Sequence, residues 1–130
     1  MGLDMYLEGT KFKREYPGPR PTEDGYGISS VALELAYWRK HPDLHGYIVQ
    51  NFNDGFDDCS PIDLDADRLR QIAAAVRARR LPHTTGFFFG SSGDTPEYVE
   101  DTALAFDRAA QWLETEDDTS WRDVAYRASW

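Results

Sequence analysis

The chain is poor in cysteine, in positive charge and in long apolar runs. Cys59 is its only cysteine in 130 residues. A single thiol excludes an intrachain disulfide framework and a cysteine-based zinc site, and it fits a reducing compartment best. Fourteen Lys and Arg stand against 23 Asp and Glu, a net charge of −9. Sequence-independent binding to a phosphate backbone needs a basic surface, so no nucleic-acid polymer is expected as a partner. No apolar run approaches the ~20 residues of a membrane-spanning helix. The first residues lack the charged-then-apolar order of a signal peptide. No membrane association is therefore expected, and the cytoplasm is the expected location.

Catalytic and cofactor signatures are also lacking. His41 and His45 stand four apart, the spacing of two metal ligands on one helical face. Pro42 interrupts that spacing, and the Glu that follows the first His of a zinc-protease motif is missing. The expectation is no metal, with His41 at a helix cap and His45 half-buried. Gly90-Ser91-Ser92-Gly93-Asp94 precedes a helix start, where backbone N–H groups and the helix dipole can hold an anion. It is not a P-loop, since no Lys-Ser/Thr pair follows, and it does not match the dinucleotide fingerprint. A plain turn with Ser and Gly supplying the bends explains it equally. No G-x-S-x-G elbow exists, and Cys59 follows two aspartates, a poor setting for a thiolate nucleophile. No catalytic residue and no cofactor is assigned.

Aromatics are plentiful: seven Phe, seven Tyr and four Trp. Rings bury large areas and line binding surfaces, so the richness suits a core or a pocket. The length allows one domain over residues 1–130 with one core. Leu3, Met5 and Leu7 alternate with Asp4, Tyr6 and Glu8, which predicts a half-buried N-terminal strand. A long Pro/Gly-rich loop is expected over 11–27. Val31, Leu35 and Trp38 at spacings of four and three predict a helix from Ser30 to about Lys40. Pro42 then opens a second helix, carrying Leu44, Ile48 or Val49, and Phe52 inward. Ile62-Asp63-Leu64 reads as a short edge strand.

Asp65 caps a helix to about Arg80, with Leu69, Ile72, Ala73 and Val76 as its apolar stripe. Phe87-Phe88-Phe89 between glycines reads as a buried strand. Thr95-Pro96-Glu97 starts the clearest helix. Val124, Tyr126, Ala128 and Trp130 alternate along a closing strand. The expected fold is α+β: a small mixed sheet of the N-terminal, Phe87–Phe89 and C-terminal strands, with three to four helices mainly on one face. The Phe87–Phe89 and closing strands, if neighbours, would run parallel through a right-handed crossover.

The stretch Glu34–Phe52 concentrates candidate binding groups. Trp38 or Tyr47 offers a stacking ring, Arg39 and His41 meet negative charge with His45 beside them, and Ser91 and Ser92 add hydrogen bonds. Together they suggest a site for a small anionic, nucleotide-like ligand. The commoner arrangement is a core Trp beside solvated basic residues at an element end.

M-G-L-D-M-Y-L, E-L-A-Y-W-R-K-H-P-D-L-H-G-Y-I-V, Asp58-Cys59, L-P-H-T-T-G-F-F-F-G-S-S and Y-R-A-S-W together resemble a family of small phage and prophage proteins. Members of that family often carry the label phosphoglycerate kinase. The label does not fit, because phosphoglycerate kinases are two-lobed enzymes several times larger. Tyr47 stands where that family is expected to have Trp. The resemblance implies a phage-encoded accessory protein acting in a bacterial cytoplasm, and it supplies no catalytic residues. Three functions follow as expectations. The first is a binding protein that sequesters a nucleotide-like ligand of host defence. The second is a module that inhibits a host protein. The third is a small hydrolase using His41 or His45 with Asp57 or Asp58. Self-association into a homo-oligomer is compatible with each.

Overall fold

The computed structural model describes residues 2–13, 25–84, 93–115 and 120–130. Strand β1 (Asp4–Lys13) is the middle of the sheet's pairing. It pairs with β4 (Ser120–Ser129) along its whole length, from Asp4 opposite Ser129 to Lys13 opposite Ser120. On its other side it pairs with β2 (Ser30–Arg39). The two-residue β3 (Ile62–Asp63) adds to β4, giving the order β2-β1-β4-β3. Alternation works as expected in β1: Leu3, Met5 and Leu7 are fully buried, while Asp4, Tyr6 and Glu8 are not. Each such apolar side chain contributes about 1.5–3 kcal/mol by leaving water.

The α+β class is the expected one. Among the described residues every strand pairing is antiparallel, where a mixed sheet was expected. The Phe87–Phe89 strand and its parallel crossover fall outside the described residues. The 11–27 loop begins later than its composition implied, because Lys11, Phe12 and Lys13 still pair with β4. The part of that loop at 14–24 is also outside the described residues.

The segment Ser30–Arg39 corrects the sequence reading: it is a strand, not a helix. The physical reason lies in its register. Leu7 faces Ala36, but Glu8 faces Glu34, so Leu35 is an extra residue in a β-bulge. The bulge switches which residues face the helices: Leu33 opposite Gly9 on one side of it, Met5 opposite Trp38 on the other. Period two is thereby broken at Leu35, and the apolar spacing imitates a helical stripe. Ala, Leu and Glu are good helix formers, but strand pairing with β1 outweighs that preference.

A sharp reversal follows. Lys40 adopts φ 59° and donates its N–H to the Leu3 carbonyl at 2.7 Å. Helix α1 (Pro42–Phe52) starts at the proline, as expected. It buries Leu44, His45, Gly46, Ile48 and Val49. Helix α2 (Ala66–Arg77) is capped by Asp65, whose carboxylate accepts from the Arg68 N–H at 2.8 Å. Helix α3 (Pro96–Glu114) is capped by Thr95, whose hydroxyl accepts from the Tyr98 N–H at 3.2 Å.

The last two helices run antiparallel and are clasped by ion pairs. Arg70 forks onto Glu114, while Arg77 reaches Glu100 at 3.1 Å and Asp107 at 2.5 Å. The buried residues of all three helices and of one sheet face form one core, with Trp38 stacked on Phe106 at 5.2 Å. No described helix is long and apolar enough to cross a membrane.

Candidate functional site

Among the described residues, two places bring polar and aromatic side chains together. The first is a buried polar cluster at His45. On the first turn of α1, His45 points into the core and is 2 % exposed. Its Nδ1 lies 2.6 Å from the Tyr126 hydroxyl on β4. Its Nε2 lies 2.8 Å from Asp57 Oδ1, in the loop after α1. The Trp130 ring packs edge-on at 5.6 Å. Burial pushes the imidazole below its ordinary pKa, against the opposing pull of Asp57. Burial also raises the Tyr126 hydroxyl well above its ordinary value. A neutral ring satisfies every atom: Tyr126 donates to Nδ1, and Nε2–H donates to Asp57.

This His–Asp pair is one of those weighed for a hydrolase. The geometry does not complete that chemistry. Both ring nitrogens are engaged, and the group in the nucleophile's place is Tyr126, 1 % exposed. The adjoining recess between Asp57, Cys59, Ser60 and Ile62 has a volume of only about 10 Å³, room for no more than a single water. The cluster acts as a latch that pins the loop after α1 to the sheet. Tyr126→Phe leaves a buried nitrogen without its donor and should cost about 2 kcal/mol of stability. Urea unfolding at neutral pH measures it, and an unchanged midpoint would remove the latch.

The second place is the sheet face away from the helices. Alternation puts Asp4, Tyr6, Glu8, Thr10 and Phe12 of β1 there, with Trp121, Asp123 and Arg127 of β4 and Glu34, Tyr37 and Arg39 of β2. None of these is buried. Tyr6 and Tyr37 meet at 5.2 Å, and the Arg127 guanidinium lies 4.6 Å from the Tyr6 ring centre. Arg127 also pairs with Glu8 at 2.7 Å. The Tyr37 hydroxyl donates to Asp4 at 2.5 Å, and that bond raises its pKa. Phe12 stacks on Trp121 at 5.4 Å. The rings are thus held in place by their neighbours.

A comparison with protein-family models, curated proteins and solved structures finds no match to this chain. The function must be argued from the molecule alone.

The described residues among those singled out in the sequence do not form one opening. Trp38 is 7 % exposed and sandwiched against Phe106, so its ring is not a free stacking platform. His41 is 3 % exposed beside Tyr98, and its side chain makes no capping bond to α1. His45 is not half-buried but sealed in the latch. Tyr47 is half-buried among the helices, its hydroxyl accepting from Gln71 Nε2 at 3.1 Å. Arg39 is exposed on the opposite sheet face, facing Asp4 in register. Ser91 and Ser92 lie outside the described residues. Among the described residues no three His, Cys, Asp or Glu side chains are placed to share a metal ion.

The sequence reading set Asp4 and Tyr6 on the face away from the core but passed over the rings gathered there. Their signal was present in the alternation of two strands, T-K-F in β1 and W-R-D-V-A-Y-R in β4, read as a pair. Each strand alone shows only a polar side.

Proposed function

We propose that this chain is a non-enzymatic binding protein whose open sheet face docks a basic segment of another protein. The observation that carries the reading is the two ring pairs, Tyr6–Tyr37 and Phe12–Trp121, set among the carboxylates of Asp4, Glu8, Glu34 and Asp123. Rings recognise Lys and Arg through their faces, and carboxylates complete the match. Arg39 and Arg127 are the only cations of the eleven face residues named above, so the face is acidic, like the whole chain at −9. A phosphate-bearing ligand suits such a face poorly. The nucleotide reading also loses Trp38 as its stacking ring. In a phage-encoded protein the partner would be a host protein with an exposed basic stretch, and masking that stretch would inhibit it.

The test uses isothermal titration calorimetry with short Arg/Lys-rich peptides, beside thermal-shift screening with linear and cyclic nucleotides. A basic peptide should bind, with affinity falling as salt is added. Trp121→Ala should weaken it by about tenfold, or about 1.4 kcal/mol. Stabilisation by a nucleotide, with no binding of any basic peptide, would reverse the preference between the two readings.

A further inference from the structure

The outer edge of β2 is a different surface from the sheet's open face. β2 is the terminal strand in the order β2-β1-β4-β3, and no described residue pairs with its outer side. An edge strand presents unpaired N–H and C=O groups, and proteins commonly protect such edges with Lys, Pro or extreme shortness. β2 is ten residues, S-V-A-L-E-L-A-Y-W-R, with no Lys and no Pro. Exposed apolar residues gather here. Of the eight large hydrophobic residues exposed among the described ones, five lie in or just before this strand: Tyr26, Ile28, Val31, Leu33 and Tyr37. Val31 and Leu33, 44 % and 36 % exposed, face the helix side, opposite Lys11 and Gly9 of β1. From them the surface continues onto α3 through a groove lined by the apolar Leu35, Leu104, Ala105 and Trp112 together with the charged Asp101 and Arg108.

We propose that the outer edge of β2 is the seam of a homodimer, pairing antiparallel with β2 of a second copy. The bulge at Leu35 divides the strand, and the regular half before it is Ser30–Glu34. Centring a two-fold axis on that half puts Ala32 opposite its own copy. Val31 then faces Leu33 of the other chain twice, an apolar pair on the helix side. Ser30 faces Glu34 twice on the open side. This register is self-complementary: both apolar positions meet apolar positions, and the two Glu34 carboxylates stay apart. Moving the axis to Glu34 would set them directly opposite, which is unfavourable.

A specific interface buries about 800 Å² per partner, about a tenth of this chain's 8144 Å². A five-residue ladder is too small for that alone. The groove along α3, on the same edge and the same side as Val31 and Leu33, supplies the additional apolar area. The dimer would carry one continuous eight-stranded sheet with two copies of the open face side by side.

Sedimentation and site-directed cross-linking test this. The full chain at high micromolar concentration should sediment at twice its 14.9 kDa mass. Leu33→Lys, at an exposed position, should weaken association at least tenfold while the circular dichroism spectrum stays the same. For cross-linking, Cys59 is first replaced by Ser. Opposed residues in an antiparallel pair have Cα atoms about 4.5–5.5 Å apart, within disulfide range. Ala32→Cys should therefore oxidise to a covalent dimer much faster than Glu34→Cys, which faces Ser30 of the other copy. A chain that sediments at 14.9 kDa at every concentration overturns the proposal. So does a dimer that survives Leu33→Lys, or one in which the Glu34→Cys chain cross-links as fast as the Ala32→Cys chain. None of these readouts depends on a basic peptide, so this seam and the open-face reading fail independently.

Discussion

Gly46→Ala should destabilise the fold by about 3 kcal/mol, although alanine is the better helix former. Gly46 sits inside α1 on its buried side. A Cβ built there would lie 2.0 Å from Thr84 Oγ1 and 2.8 Å from Thr84 Cγ2. Thr84 has little freedom to withdraw, because its N–H donates to Asp43 Oδ1 at 2.9 Å and its hydroxyl to the Pro82 carbonyl at 3.2 Å. The added methyl must therefore push the 82–84 segment off α1. Helix propensity would return at most ~1 kcal/mol of that. In a domain of this size the melting temperature should fall by about 10 °C. Adding Thr84→Gly to Gly46→Ala should recover much of the loss, since the clashing atoms are gone. A single variant that melts at or above the parent temperature would show that the contact between α1 and Thr84 is not tight.

Acid should destabilise the protein by a comparable amount, through His41. Burial holds its pKa down to about 4, against an ordinary value near 6.5, with Asp43 pulling the other way. The folded state therefore favours the neutral ring, and the unfolded chain takes up the proton first. Stability is complete above about pH 6.5 and falls as pH drops from there towards 4, where the loss levels off. At 1.36 kcal/mol per pH unit the loss amounts to about 3 kcal/mol. His45 is displaced in the same direction by the same cause and adds to the slope. Urea midpoints measured from pH 7 to pH 4 should fall steadily. His41→Gln should flatten part of that fall, because an uncharged amide does not titrate. A parent profile that is level down to pH 4.5 would mean that the imidazole reaches solvent.

The order of most elements was legible because their signals are local. Asp65 and Thr95 announce α2 and α3 through their own backbone hydrogen bonds, and Pro42 sets the first residue of α1. β1 was visible because one flank buries Leu3, Met5 and Leu7 without interruption. β2 was misread because its bulge is a property of the pairing with β1. Nothing within Ser30–Arg39 says that Leu35 will be the extra residue. The segment thus carries helical spacing in isolation and strand geometry in company.

The candidate site divides in the same way. His45 and Asp57 are 12 residues apart and were paired in one of the sequence readings. Tyr126, which occupies the other ring nitrogen, is 81 residues from His45. That third member changes the meaning of the pair from an open base to a closed latch. Trp38 shows the same effect: a residue with the right ring for a ligand is taken up by Phe106, 68 positions along the chain.

Composition and local pattern by themselves determined that this is an acidic α+β chain, where α1, α2 and α3 begin, and which flank of its first strand is buried. Those properties depend on charge counts, capping hydrogen bonds and side-chain period, all of which act over a few residues. Tertiary structure alone decided that Ser30–Arg39 pairs as a bulged strand. It also decided that His41 and His45 are sealed away, and that the rings of β1, β2 and β4 share one uncovered face. Register, burial and the joining of distant side chains exist only once the strands have met.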